Sequence, residues 1–202
     1  FCLFFSPFIL SFTFKYHFQL SLKCFQRSGL ETVSGCNNGG SGDIADSDFC
    51  YLEESVMYAC PSKGIYLGKG TTLYDSISEK GGGAISSNLC AVQIANTSII
   101  NATSLTGNGG AILVSTGSTL SIDDTTTLKD NKAIKGSGGA VSCEECDTMT
   151  FNGRTNFVNN IANVGGGAVH SVSPINPVIS TSSKYTSNTA QLSNGGAIDA
   201  HD

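Results

Sequence analysis

Few side chains in this chain of 202 residues belong to types that do chemistry, and their spacing limits what they could do. The acidic pairs Asp123-Asp124 and Glu144-Glu145, with Asp147 nearby, are the candidates for acid and base work on a polysaccharide. Counted from the preceding Gly-Gly of the repeat described below, they fall at +14/+15 and +6/+7. They therefore do not share a face, and they read as solvated surface charge. His170 and Asp199 each stand four residues after a first glycine, which makes them neighbours on adjacent repeats. That placement suits a surface ion pair better than a catalytic dyad. Ser86 and Ser142 share the same phase on other repeats, which does not reliably bring a nucleophile into the column. Cys143-Glu144-Glu145-Cys146 supplies half of a four-ligand zinc site and lacks a redox-fold context. Gly-Gly repeats also occur in calcium-binding β-rolls, but those use GGxGxD every nine residues, and here Ala follows Gly-Gly and Asp is out of phase. No catalytic set, metal site or cofactor is expected.

The elements that would position these residues are read from the composition and the repeat. Ser, Thr, Asn and Gly make up 84 of the 202 residues. Turn formers and β-branched residues thus outnumber helix formers, which points to a β-rich chain. The formal charge is −5, with Arg27 and Arg154 as the two arginines, so nucleic acid is not an expected partner. Hydrophobic residues at 40% suffice for a buried core.

Residues 1–34 form a hydrophobic N-terminal segment in which Phe1 to Phe14 is nearly uncharged. Fourteen residues are too few for a helix to span a bilayer. The run reads as a truncated export signal, as upstream or misframed sequence, or as a buried or edge strand. Residues 35–66 read as a linker or irregular cap, opened by the flexible stretch Gly35 to Gly42.

From about Leu67 to Asp202 the sequence repeats itself. A Gly-Gly-Ala-aliphatic block occurs at Gly82-Gly83-Ala84-Ile85, Gly109-Gly110-Ala111-Ile112, Gly138-Gly139-Ala140-Val141, Gly166-Gly167-Ala168-Val169 and Gly195-Gly196-Ala197-Ile198. The first glycines are 27, 29, 28 and 29 residues apart. A large apolar residue followed three positions later by Asn keeps phase with it, as Leu128/Asn131, Phe157/Asn160 and Tyr185/Asn188. The pattern fades upstream, to Leu73/Ser76 and Ile99/Ala102. A fixed period of this length means a solenoid or similar array. About three short alternating runs per period predict three strands per coil and a right-handed parallel β-helix of about 28 residues per coil. Gly-Gly would turn a tight corner, Ala would sit inside it, and the following Ile or Val would enter the core. Leu128, Phe157 and Tyr185 would stack in a column. Asn131, Asn160 and Asn188 would form an amide ladder at a bend.

The eight cysteines, Cys2, Cys24, Cys36, Cys50, Cys60, Cys90, Cys143 and Cys146, are out of phase with the repeat and do not build the coil. Disulfides are their expected fate in an exported protein, with Cys36, Cys50, Cys60, Cys90, Cys143 and Cys146 as candidates and no connectivity fixed by sequence.

The two motifs together, GGA[ILV] and FxxN along a Ser/Thr/Asn-rich chain, resemble the polymorphic outer membrane proteins of chlamydiae. The resemblance covers about Leu67 to Asp202, and the strict FxxN form occurs once, at Phe157 to Asn160. It implies an autotransporter-type surface protein: signal peptide, β-helical passenger, and C-terminal membrane barrel. The present chain would be a passenger fragment or the product of a disrupted gene, associated with the outer membrane only through a barrel it lacks. The family further implies secretion to the extracellular face, antigenic variability and adhesion to a host-cell receptor. The repeated motifs would be linked to that adhesion, and cysteines would cross-link to other envelope proteins. Two other classes stay open: a carbohydrate-active β-helix enzyme, and a passive surface protein.

Overall fold

The computed structural model describes residues 65–201, except 69 and 177, with the backbone of three upstream strands, Ser21–Phe25, Phe49–Glu53 and Met57–Tyr58. The apolar run 1–14, the glycine-rich stretch 35–42, and Cys2, Cys36 and Cys60 lie outside the described residues, as do the side chains of Cys24 and Cys50.

Glycine and the Asn/Asp turns break the chain into segments of two to five residues, none long enough to bury its own apolar face. Burial comes from the coil above and the coil below. The result is a right-handed parallel β-helix of about five coils. Each coil begins on a first face that carries the GGA strands, Ile85–Ser87, Ile112–Val114, Val141–Glu144, Val169–Val172 and Ile198–His201. A second face holds Ile65–Leu67, Ala91–Ala95, Thr119–Asp123, Thr148–Phe151 and Ile179–Ser180. A third face holds Thr72–Tyr74, Ser98–Ile100, Thr127–Lys129, Asn156–Val158 and Lys184–Thr186. Phe49–Glu53 joins that face in parallel with Thr72–Tyr74, and Ser21–Phe25 closes it in antiparallel.

The expectation of three strands per coil is corrected to four. A two-residue strand follows each Asn bend and forms a fourth face: Ile77–Ser78, Thr103–Ser104, Lys132–Ala133, Ile161–Ala162 and Thr189–Ala190. Its inward residues (Ser78, Ser104, Ala133 and Ala162) are buried and small. So short and so weakly apolar a segment gives no alternating pattern to read.

Register is held coil by coil. Ile85, Ile112, Val141, Val169 and Ile198 align in one column, and Leu73, Ile99, Leu128, Phe157 and Tyr185 in another. The Phe157 and Tyr185 rings lie parallel with centroids 4.8 Å apart, and Phe151 meets Phe157 edge-on at 5.1 Å. The GGA alanines also line up. Ala84 N donates to Ala111 O at 2.8 Å, and the Ala111–Ala140, Ala140–Ala168 and Ala168–Ala197 pairs repeat the bond at 2.9 Å.

The Gly-Gly corner is explained by two separate demands. Gly138 has φ +69°, and a Cβ there would sit 2.2 Å from Val141 O. Gly139 carries no positive φ, yet a Cβ on it would sit 2.2 Å from Gly167 O on the next coil. The first glycine makes the turn; the second lets adjacent backbones touch.

Candidate functional site

The bend from the third face to the fourth is where buried architecture meets an accessible surface. Its inner side is the amide ladder. Asn131 Nδ2 donates to Asn160 Oδ1 at 2.9 Å, and Asn160 Nδ2 donates to Asn188 Oδ1 at 2.9 Å. Each side-chain oxygen also accepts a backbone N–H from the previous coil: Ala102 N to Asn131, Asn131 N to Asn160, Asn160 N to Asn188. Each amide nitrogen further donates to a backbone carbonyl, of Ile99, Leu128 and Phe157 in turn. Asn131 and Asn160 are wholly buried, which is tolerable because the amides are satisfied this way. Ser76 heads the same column, and its hydroxyl finds no partner, so the ladder begins where Asn first appears.

Threonines form a second internal ladder, which sequence reasoning missed. Thr97, Thr126 and Thr155 are buried at the turn into the third face. Thr126 Oγ1 donates to Asp123 O at 2.9 Å, and Thr155 Oγ1 donates to Asn152 O at 3.1 Å. Their constant spacing of 29 residues was the available signal.

The outer side of the Asn bend is a column of left-handed residues, each immediately before the ladder position: Asp75 (φ 52°), Asn101 (56°), Asp130 (57°), Asn159 (54°) and Ser187 (53°). Asp, Asn and Ser tolerate this conformation because their short polar groups bond locally. Asn101 Nδ2 donates to Asp75 Oδ1 across the coils. Beside this column runs an open groove of about 500 Å³, lined by Tyr74, Ile100, Asn101, Asp130, Lys132, Asn159 and Ile161. It offers a phenol ring, aliphatic surface, amides and one charge of each sign. Among the described residues Asp130 is its one lining carboxylate.

The acidic pairs lie elsewhere. Asp123 accepts from Ser121 Oγ at 3.0 Å, and Asp124, at the turn from second to third face, accepts from Asn96 Nδ2 at 3.3 Å. Glu144 is on the first face and accepts from Asn108 Nδ2 at 2.6 Å. Glu145 is at the next turn and accepts from Thr116 Oγ1 at 3.2 Å. Each carboxylate is thus held by a neighbouring polar side chain on a different part of the rod. Cys143 and Cys146 are buried and bonded to each other, so neither presents a thiolate to zinc. Cys90 is disulfide-bonded as well.

His170 and Asp199 are direct partners across the fourth and fifth coils of the first face, as their phase implies. The contact within ion-pair reach is made instead by His201, whose Nδ1 is 3.6 Å from Asp199 Oδ1. His170 Nδ1 lies 3.3 Å from Ser142 Oγ, on the opposite side from Asp199. Burial holds the His170 pKa below the usual histidine value, partly countered by the charge of Asp199.

No protein-family model, curated protein or solved structure matches this chain. The GGA and FxxN motif residues are the least accessible parts of the rod: Ala84, Ala111, Ala140, Ala168, Leu128, Phe157, Asn131 and Asn160 are all at most 1% exposed. Tyr185, Asn188, Gly195, Gly196, Ala197 and Ile198, on the last described coil, are less covered.

Proposed function

We propose that this β-helix is the surface-displayed passenger part of an outer-membrane autotransporter of the polymorphic outer membrane type, and that it adheres to host cells without turning a substrate over. The observation that carries the adhesive reading is the lateral groove beside Tyr74, Asn101, Asp130 and Lys132. It is open, it crosses several coils, and it mixes ring, amide and charge in the way that recognition of an extended polar partner requires. In this reading the repeated motifs serve adhesion indirectly. They are buried, and their work is to hold the groove's side chains one coil apart, at ~4.8 Å.

Beads coated with the full chain are expected to bind cultured host cells. The groove variants Tyr74→Ala and Lys132→Glu are expected to lower that binding about tenfold, as loss of a central contact does, with the circular dichroism spectrum unchanged. Binding no better than beads coated with a scrambled sequence would overturn the adhesin and leave a passive surface protein. Release of reducing sugar from glycans by the purified chain would overturn the non-catalytic reading.

A further inference from the structure

Among the described residues, one group of three metal-ligating side chains lies close enough to hold an ion: His170, Asp199 and His201, with one candidate ligand atom from each within 4.8 Å of the others. We propose that these three residues form a binding site for a divalent transition-metal ion of the zinc class, clipped between the last two coils of the rod. The donor set is two imidazoles and one carboxylate. It favours zinc, nickel, copper or cobalt over calcium and magnesium, which prefer shells made of oxygen alone.

The distances are near those of a bound ion. Ligands at 2.0–2.2 Å from zinc lie roughly 3 to 3.6 Å from one another. Asp199 Oδ1 and His201 Nδ1 are already 3.6 Å apart, and the buried His170 holds a ring nitrogen within 4.8 Å of a ligand atom of each. The rings of His170 and His201 stand 5.5 Å apart at 64°, so they are not stacked on each other.

Two features outside the three ligands point the same way. Ser142, on the preceding coil, is 3.3 Å from His170 Nδ1. With Nδ1–H donated to that hydroxyl, Nε2 keeps the lone pair that a cation would take, which is how metal-binding histidines are oriented. Ser142 is itself wholly buried, so its hydroxyl serves His170 and not a substrate. The second feature is Gly165. Its φ is not positive, so the turn does not require glycine there, yet a Cβ would lie 2.3 Å from Asp199 Oδ2. The equivalent positions on the neighbouring coils are Ser137 and Asn194. Glycine at 165 leaves a cradle for the Asp199 carboxylate that a side chain would fill.

The test is equilibrium dialysis of the full chain against Zn²⁺, with elemental analysis of the bound metal and parallel dialysis against Ca²⁺ and Mg²⁺. Thermal unfolding with and without Zn²⁺ is measured alongside. The expected result is one Zn²⁺ site whose affinity falls at least tenfold in His201→Ala and in Asp199→Asn, with a Zn²⁺-dependent rise in melting temperature that both variants lose. His201 is half exposed and Asp199→Asn is isosteric, so both variants fold. Ser142→Ala is expected to weaken binding by about tenfold, the effect of removing a partner that orients a ligand. Zinc bound with unchanged affinity by His201→Ala and Asp199→Asn, or displaced by an equal concentration of Ca²⁺, would overturn the site.

Discussion

Replacing Asn160 by Ala tests whether the amide ladder holds the coils together. In the intact rod, Asn160 Oδ1 accepts two bonds, from the backbone N of Asn131 at 3.1 Å and from its Nδ2 at 2.9 Å. Asn160 Nδ2 donates two, to Asn188 Oδ1 at 2.9 Å and to Leu128 O at 3.0 Å. Alanine removes all four. Asn131 Nδ2 keeps Ile99 O and Asn188 keeps the backbone N of Asn160, so not every group is orphaned. The buried groups that lose a partner outright are the Asn131 N–H and one amide hydrogen of Asn131. At about 1–3 kcal/mol for each unsatisfied buried donor, the substitution should cost roughly 2–6 kcal/mol. That is a large share of the 5–15 kcal/mol typical of a folded domain. Urea unfolding followed by circular dichroism measures the total. Hydrogen exchange locates it, with protection lost at Asn131, Asn160 and the adjoining rungs and retained near Ile94 and Val92, because stability in a solenoid is shared between neighbours. Lys129→Ala, an exposed change on the same strand system, serves as the control, within about 0.5 kcal/mol of the parent. A cost below about 1 kcal/mol for Asn160→Ala would refute the ladder as a structural element.

The two motif glycines Gly139 and Gly196 should respond in opposite ways to alanine. A Cβ on Gly139 meets Gly167 O at 2.2 Å and Ile161 N at 2.6 Å, both backbone atoms, so Gly139→Ala is expected to cost about 3 kcal/mol or more in urea unfolding. On Gly196 the nearest atom is Asn188 O at 3.7 Å, an ordinary contact, so Gly196→Ala should be close to neutral; equal effects would sink the coil-contact explanation. At alkaline pH, the partly buried Tyr185 phenol resists ionisation, so its pKa lies above the usual value near 10, with hydrogen bonds to Ser180 and Ser183 partly offsetting the burial. Its contribution to stability is therefore fully present below about pH 10 and is lost as pH rises through the raised folded-state value. Above pH 10 the parent should lose urea resistance faster than Tyr185→Phe, and parallel pH profiles would contradict this.

The repeat and its phase were legible because each coil spends one residue of a distinctive type on each architectural task. Gly138 and Gly139, Ala140 and Asn131 recur at constant intervals, and interval is what a sequence displays directly. The Phe157 column and the amide ladder followed from the same phase. The fourth face did not, because Lys132–Ala133 and Ile161–Ala162 are two residues long and carry one small inward side chain each. The buried threonines were hidden by composition: in a chain with so many Thr residues, Thr97, Thr126 and Thr155 look like any others until their hydroxyls are seen reaching the turn carbonyls. His201 shows a further limit. Phase placed His170 beside Asp199, but His201 sits two residues along the next strand, and its reach to Asp199 depends on side-chain direction rather than on interval.

The hydrogen bonds between coils all run along the length of the rod, from each strand to the one stacked on it. Tension applied end to end would therefore load the inter-coil joints in series. The weakest joint would yield first, and the chain would peel away one turn at a time. A rod built this way has a lengthwise yield point set by a single interface, not by the sum of all of them.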